Sequence, residues 1–147
     1  MKFATALFVA ALMLRASFAA ADPLLTYPLK IKGHTLRAEL ANTTESRQTG
    51  LMFRERMPED HAMVFVYEVP GRHAMWMKNT LVPLSVAFID ADGRIINIED
   101  MLPQTEDSHA AQAVATYALE VNAGWFKKHA IKKGDRVEGL KALPPSQ

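Results

Sequence analysis

The chain contains no cysteine. That excludes disulfides, thiolate metal sites, cysteine nucleophiles and a lipid anchor on cysteine, so the fold must be held by core burial. Blocks of like charge are also missing. Seventeen basic residues are interspersed with 16 acidic ones, which indicates neither nucleic acid nor an anionic membrane as a partner. The apolar run at the N-terminus, Phe3 to Leu14, ends at Arg15 after twelve residues, short of the ~20 that a membrane helix needs. HExxH, GxSxG and glycine-rich phosphate-binding signatures do not occur. Nor do strands alternate with long helical segments, which disfavours dinucleotide chemistry on a parallel sheet.

What is present begins with an export pattern. Lys2 supplies a basic start, Phe3 to Leu14 an apolar stretch, and Ser17 to Ala21 a small-residue cleavage region with Ala19 three places before the cut. Residues 1–21 are therefore expected to be a signal peptide, and the mature protein periplasmic or secreted, with no membrane span left. Removing them takes away Lys2 and Arg15, leaving 15 basic against 16 acidic residues and a net charge of −1. The remaining 126 residues suit one domain over 22–142 and a flexible tail over 143–147, where Pro144 and Pro145 stand.

Along this part, short apolar segments are separated by turn residues. Leu29 to Leu40 reads as two short strands or one bent strand, with Gly33 at the bend, and Ala62 to Tyr67 as a strand buried on both faces. Residues 73–80 read as the next strand after a Val69-Pro70-Gly71 turn. Val82 to Ile89 and Arg94 to Ile98 flank an Asp90-Ala91-Asp92-Gly93 hairpin turn. Ala113 to Val121 and Arg136 to Leu140 complete the set. A short helix is expected over Thr44 to Thr49, with Asn42 or Thr43 as its cap and Gly50 as its stop, and another over Trp125 to Ala130. The fold class is mainly β: a compact antiparallel β-sandwich or partly closed barrel with one or two short helices.

Several segments, in order, resemble one family. They are TTESRQTGLMFRERMP (43–58), AMVFVY (62–67), MWMKNTLVPLSVAFIDADGRIINI (75–98), MLPQTE (101–106), YALEVNAGW (117–125) and IKKGDRV (131–137). Together they are similar to the DUF192 family over nearly all of residues 22–142. The resemblance implies a compact single-domain β fold and brings no activity with it. One position departs: where the family pattern usually reads Pro-Leu-Asp, this chain has Pro83-Leu84-Ser85. A chemical role for that carboxylate would be lost here.

Two candidate sites follow from the residues around HAMWMKNT (73–80). On a strand, His73, Met75 and Met77 would share one face, and His61 and Met63 repeat the His-x-Met spacing nearby. Imidazole and thioether suit copper, so copper handling is an alternative reading, set against core methionine packing. The other candidate is a polar pocket with an aromatic wall, built from Arg47, Trp76, Lys78, Asn79 and Thr80. Asn79 and Thr80 could equally cap a strand end. Glu120, inside an apolar strand, would need Arg47 or Lys78 as a partner if it faced inward; alternation of period two favours the outward orientation. No nucleophile-and-base pair can be named, so an envelope-associated hydrolase is a further alternative without named residues. The leading expectation is an exported binding or accessory module, with no cofactor, for a small polar or anionic ligand or a protein partner.

Overall fold

The computed structural model describes residues 25–147. The expected signal peptide lies outside them. Nine strands form: β1 (Thr26–Ile31), β2 (His34–Ala41), β3 (His61–Gly71), β4 (Ala74–Met75), β5 (Leu84–Ile89), β6 (Ile95–Met101), β7 (His109–Ala110), β8 (Ala115–Asn122) and β9 (Val137–Glu138). Helix α1 spans Thr44–Thr49 and α2 spans Trp125–Lys128. Seven strands make one sheet in the order β6-β5-β8-β3-β2-β1-β9, while β4 and β7 pair separately. The two edges of the large sheet approach each other. Arg94 bridges Arg136, and Val137 N–H donates to the Gly93 carbonyl at 2.8 Å. Gly93 permits this approach: its φ is +82°, and a Cβ there would stand 3.0 Å from the Val137 carbonyl oxygen. The fold is thus mainly β, a curled sheet forming a partly closed barrel.

One pairing departs from the all-antiparallel expectation. Strands β2 and β3 run parallel, Glu39 opposite Met63. Parallel neighbours need a crossover of a dozen or more residues, and residues 42–60, which carry α1, supply it. Thr43 caps α1: its hydroxyl accepts the Ser46 N–H at 3.1 Å, while Ser46 Oγ accepts the Thr43 N–H at 2.9 Å. The Gly50 N–H closes the other end on the Ser46 carbonyl. Asp90 Oδ1 accepts the N–H groups of Asp92 and Arg94, both at 2.9 Å, which fixes the β5–β6 turn.

The curl gives the sheet an inner and an outer face, and both are covered. Inside, Leu29, Leu36, Val64, Ile89, Leu119 and Phe126 pack together. Outside, Phe65, Met77, Leu84, Phe88 and Met101 form a second core, roofed by Leu51 and Met57 from the crossover and by Val82. Residues 73–80 are not the expected strand. Only Ala74 and Met75 are extended, and the chain then turns, with Thr80 N–H on the Met77 carbonyl. Val69 to Gly71, expected as a turn, belongs to β3 beyond an irregularity that starts at Val66. The expected flexible tail bonds to the body: Asn42 Nδ2 donates to the Pro145 carbonyl at 2.8 Å, and Gln147 N–H to the Asn42 carbonyl at 2.7 Å.

Candidate functional site

A cleft of about 370 Å³ opens on the outer face. Its floor is sheet, Phe65 from β3 and Glu120 from β8; one wall is the last turn of α1 and Gly50 to Met52, and the other is Ala74 to Trp76 with Thr80. The volume lies at the lower end of the range for small-molecule sites. Arg47, Trp76 and Thr80 therefore meet, three of the five candidate pocket residues, and Glu120, the further candidate, joins them.

Lys78 and Asn79 do not line it. The Lys78 ammonium lies 3.8 Å from a Glu106 carboxylate oxygen and 5.1 Å from the centre of the Trp76 ring, over one face of the indole. Asn79 has a φ of +54° and offers its carbonyl to the Phe53 N–H at 2.8 Å. It is a turn residue tying the two cleft walls together, consistent with the tolerance of asparagine for that conformation. The Thr80 hydroxyl donates to the Lys78 carbonyl at 3.2 Å. That bond is structural, and it leaves Trp76 as the aromatic contribution of this segment.

Arg47 is half-buried. Its Nη1 lies 2.7 Å from the Asn42 carbonyl, 3.0 Å from the Val66 carbonyl and 2.8 Å from Ser146 Oγ. The guanidinium is thus anchored at one corner, while Nε and Nη2 make no hydrogen bond among the described residues. A planar donor fork held in this way suits an oxyanion.

Glu120 reverses the expectation drawn from alternation. It shares its face with Ala118, opposite Met63 on one side and Val86 on the other, and is only 4% exposed. The outer face of β8 is roofed by other chain segments except where the cleft opens. Neither expected partner reaches it: among the described residues Glu120 has no hydrogen bond and no ion pair. Burial alone pushes its carboxyl up to about 8, so at neutral pH it is a neutral acid with an O–H to donate. Tyr67, missed in the sequence reading, stands two residues beyond Phe65 on the same face. Its phenol is raised above the ordinary tyrosine range by burial and by the Glu120 charge, with Arg47 opposing, so it lies within reach of both fields. Its hydroxyl touches Met75 Sδ at 3.5 Å.

The His/Met set is dispersed. His73 stacks on Tyr67, with ring centres 3.6 Å apart, and bonds the Val69 carbonyl through Nε2. His61 opens β3 six residues before Tyr67, about 20 Å away along an extended strand. Met63 and Met77 are buried in the outer core, and Met75 packs against it. The methionines thus serve the outer core as packing, and His61 stands apart from His73. Ser85 lies on the opposite, inner face, opposite Val121; it donates to Asp100 Oδ1 at 2.5 Å and accepts the Gly124 N–H at 2.9 Å. The departure from Pro-Leu-Asp therefore falls at a buried fastening between strands, away from the cleft.

Comparisons with known proteins agree with this architecture. The DUF192 family model, described as "Uncharacterized ACR", matches residues 27–139. No curated protein matches the chain. A protein of unknown function from Novosphingobium aromaticivorans is 34% identical, with a TM-score of 0.76 over 82% of this chain and 94% of its own. A Sinorhizobium meliloti protein, provisionally labelled a transcription regulator, is 36% identical, with a TM-score of 0.73 over 80% of this chain and 98% of its own. With a family match across all but the ends of the β domain, the chain belongs to the DUF192 family.

Proposed function

We propose that this protein is an exported binding module that holds a small polar or anionic ligand in the cleft between α1 and residues 74–80. The observation that carries the reading is the meeting of a part-anchored guanidinium and a buried carboxyl, unpartnered among the described residues, in one concavity with mixed polar and apolar walls. Buried polar groups ordinarily have partners, and a carboxyl left without one at the floor of an open cleft is disposed toward something that enters it. Trp76, 47% exposed at the rim, adds a flat apolar surface. Export rests on the charged, apolar and small-residue order of residues 1–21. The regulator label of the Sinorhizobium relative finds little support in this chain, whose two α-helices among the described residues have six and four residues and which has no basic run.

The test is a thermal-shift screen of small anions and polar metabolites against wild type, Arg47→Ala and Trp76→Ala. At least one chemical class is expected to raise the melting temperature of the wild type and to lose that effect in Arg47→Ala. Trp76→Ala keeps the fold, because the indole is half exposed, and weakens the same ligand. A wild type that no class stabilises, or shifts that both variants retain in full, defeats the reading.

A further inference from the structure

We propose that the ligand is an amphipathic carboxylate, a small molecule with one carboxylate on an aromatic or branched apolar group, held between the open edge of the Arg47 guanidinium and a donating Glu120 carboxyl. This rests on the cleft being a binding site and goes further by naming what fits it.

Charge makes the first selection. Among the described residues, Arg47 and Glu120 are the only ionisable ones lining the cleft. Burial keeps Glu120 protonated at neutral pH, so the empty site carries the single positive charge of Arg47. An anion is attracted to it, and an ammonium is opposed by it. Hydrogen-bond valence makes the second. Arg47 is donor-only, and a protonated carboxyl in an apolar setting donates its O–H. Two donors converging from α1 and from the sheet floor call for an acceptor with more than one lone-pair direction, which a carboxylate supplies. The rest of the lining makes the third. Leu51, Met52, Phe65, Met75 and Trp76 are apolar, Gln48 and Thr49 add polar side chains at the α1 wall, and the Thr80 hydroxyl is committed to the Lys78 carbonyl. The apolar part suits a ring or a branched chain, and a single positive charge is poorly matched to a multiply charged ion.

Glu120 then makes binding depend on pH. The groups facing it are few: Tyr67 and Met63 from β3, Val86 from β5, Arg47 from α1, and Met75 and Trp76 across the cleft. Arg54, from the crossover, is committed to Glu39. Tyr67 is shifted upward, away from neutrality, and arginine stays charged. Glu120 is therefore the group among these that titrates between pH 6 and 9. Once it ionises, the donor becomes a like charge beside the ligand carboxylate, and only the protonated fraction binds. Apparent affinity should fall roughly tenfold per pH unit above 8.

The experiment is calorimetric titration of the full mature chain with 3-phenylpropionate and with 3-phenylpropylamine, a pair similar in shape and opposite in charge, at pH 6.5 and 9.5. The wild type is expected to bind the carboxylate at pH 6.5, at least tenfold more weakly at pH 9.5, and not to bind the amine. Glu120→Gln, which still donates from its amide, should bind the carboxylate equally at both pH values. The proposal is overturned if the amine binds and the carboxylate does not, if neither binds at millimolar concentration, or if wild-type affinity is the same at both pH values. The wild-type pH pair decides the matter even where a variant folds poorly. If carboxylate selectivity fails while a different anion still binds in an Arg47-dependent way, the cleft remains a binding site and only its ligand class is wrong.

Discussion

Glu39 and Glu120 stand on the same outer face of the sheet, one on each side of Met63, to which both are registered. Their exposures are 5% and 4%. Two strand spacings separate them, about 10 Å. Yet Glu39 is met by Arg54 through two bonds, Nη1 to Oε1 at 2.5 Å and Nη2 to Oε2 at 2.6 Å, and among the described residues Glu120 has no such partner. The Arg54 end is a fastening: a bidentate pair clamps the crossover onto β2 and gives each carboxylate oxygen a donor. At the Glu120 end the roof opens into the cleft, and the carboxyl faces that opening. A buried acid with a partner holds structure together, and one without a partner, beside an opening, is available to a ligand.

The largest effect that can break this comparison is on stability against pH. The Glu120 carboxyl goes from about 8 in the fold to its ordinary 4.5 when unfolded. Below pH 4.5 both states hold the proton, and its contribution to stability is full. Between 4.5 and 8 only the folded state holds it, so stability falls as pH rises, and above 8 the loss is complete. The fall is on the order of 5 kcal/mol. Glu120→Gln carries no such titration. Urea denaturation at pH 4.5 and 8.5 should show the variant gaining on the wild type by most of that amount at the higher pH. Parallel behaviour of the two proteins would mean that Glu120 has a partner after all.

Next in size is the fastening itself. Arg54→Ala leaves Glu39 buried and unpaired, turning it into a second Glu120. Breaking a buried pair in this way costs roughly 3–5 kcal/mol, and the low end fits here because the Arg54 side chain is 30% exposed. Urea denaturation midpoints of the two proteins measure it. A loss below about 1 kcal/mol would show that the pair behaves like an exposed one.

Much of the frame was legible from local chemistry. Thr43 and Gly50 bound α1 because capping needs only neighbours in sequence, and Asp90 with Gly93 marks its hairpin for the same reason. The orientation of Glu120 was not legible. Period two says which residues share a face, and it does not say which faces are roofed. The roof over β8 comes from residues 50–57 and 75–82, far away in sequence. The parallel β2–β3 pair was hidden for a related reason: a crossover with a six-residue helix resembles an ordinary loop between antiparallel strands. Arg47 was found through its family motif, but its anchoring by Asn42, Val66 and Ser146 depends on the chain end returning to α1. Lys78, next to Trp76 and Asn79 in the same motif, was grouped with them because adjacency was the only guide.

The smallest effect sharpens the comparison most cleanly. By sequence, Lys78 was an equal candidate for the partner that Glu120 lacks. In the structure it points away, with its side chain 48% exposed beside a Glu106 side chain that is 66% exposed. A surface pair of this kind contributes about 0–1 kcal/mol, and the contact with the Trp76 ring adds about as little at an exposed site. Lys78→Ala should therefore change stability by less than about 1 kcal/mol, with the steep dependence between pH 4.5 and 8 left intact. If the variant is instead steeper than the wild type, Lys78 reaches Glu120 in solution and holds its carboxyl down. Glu120 would then resemble Glu39, and the open acid at the cleft floor would be a paired one.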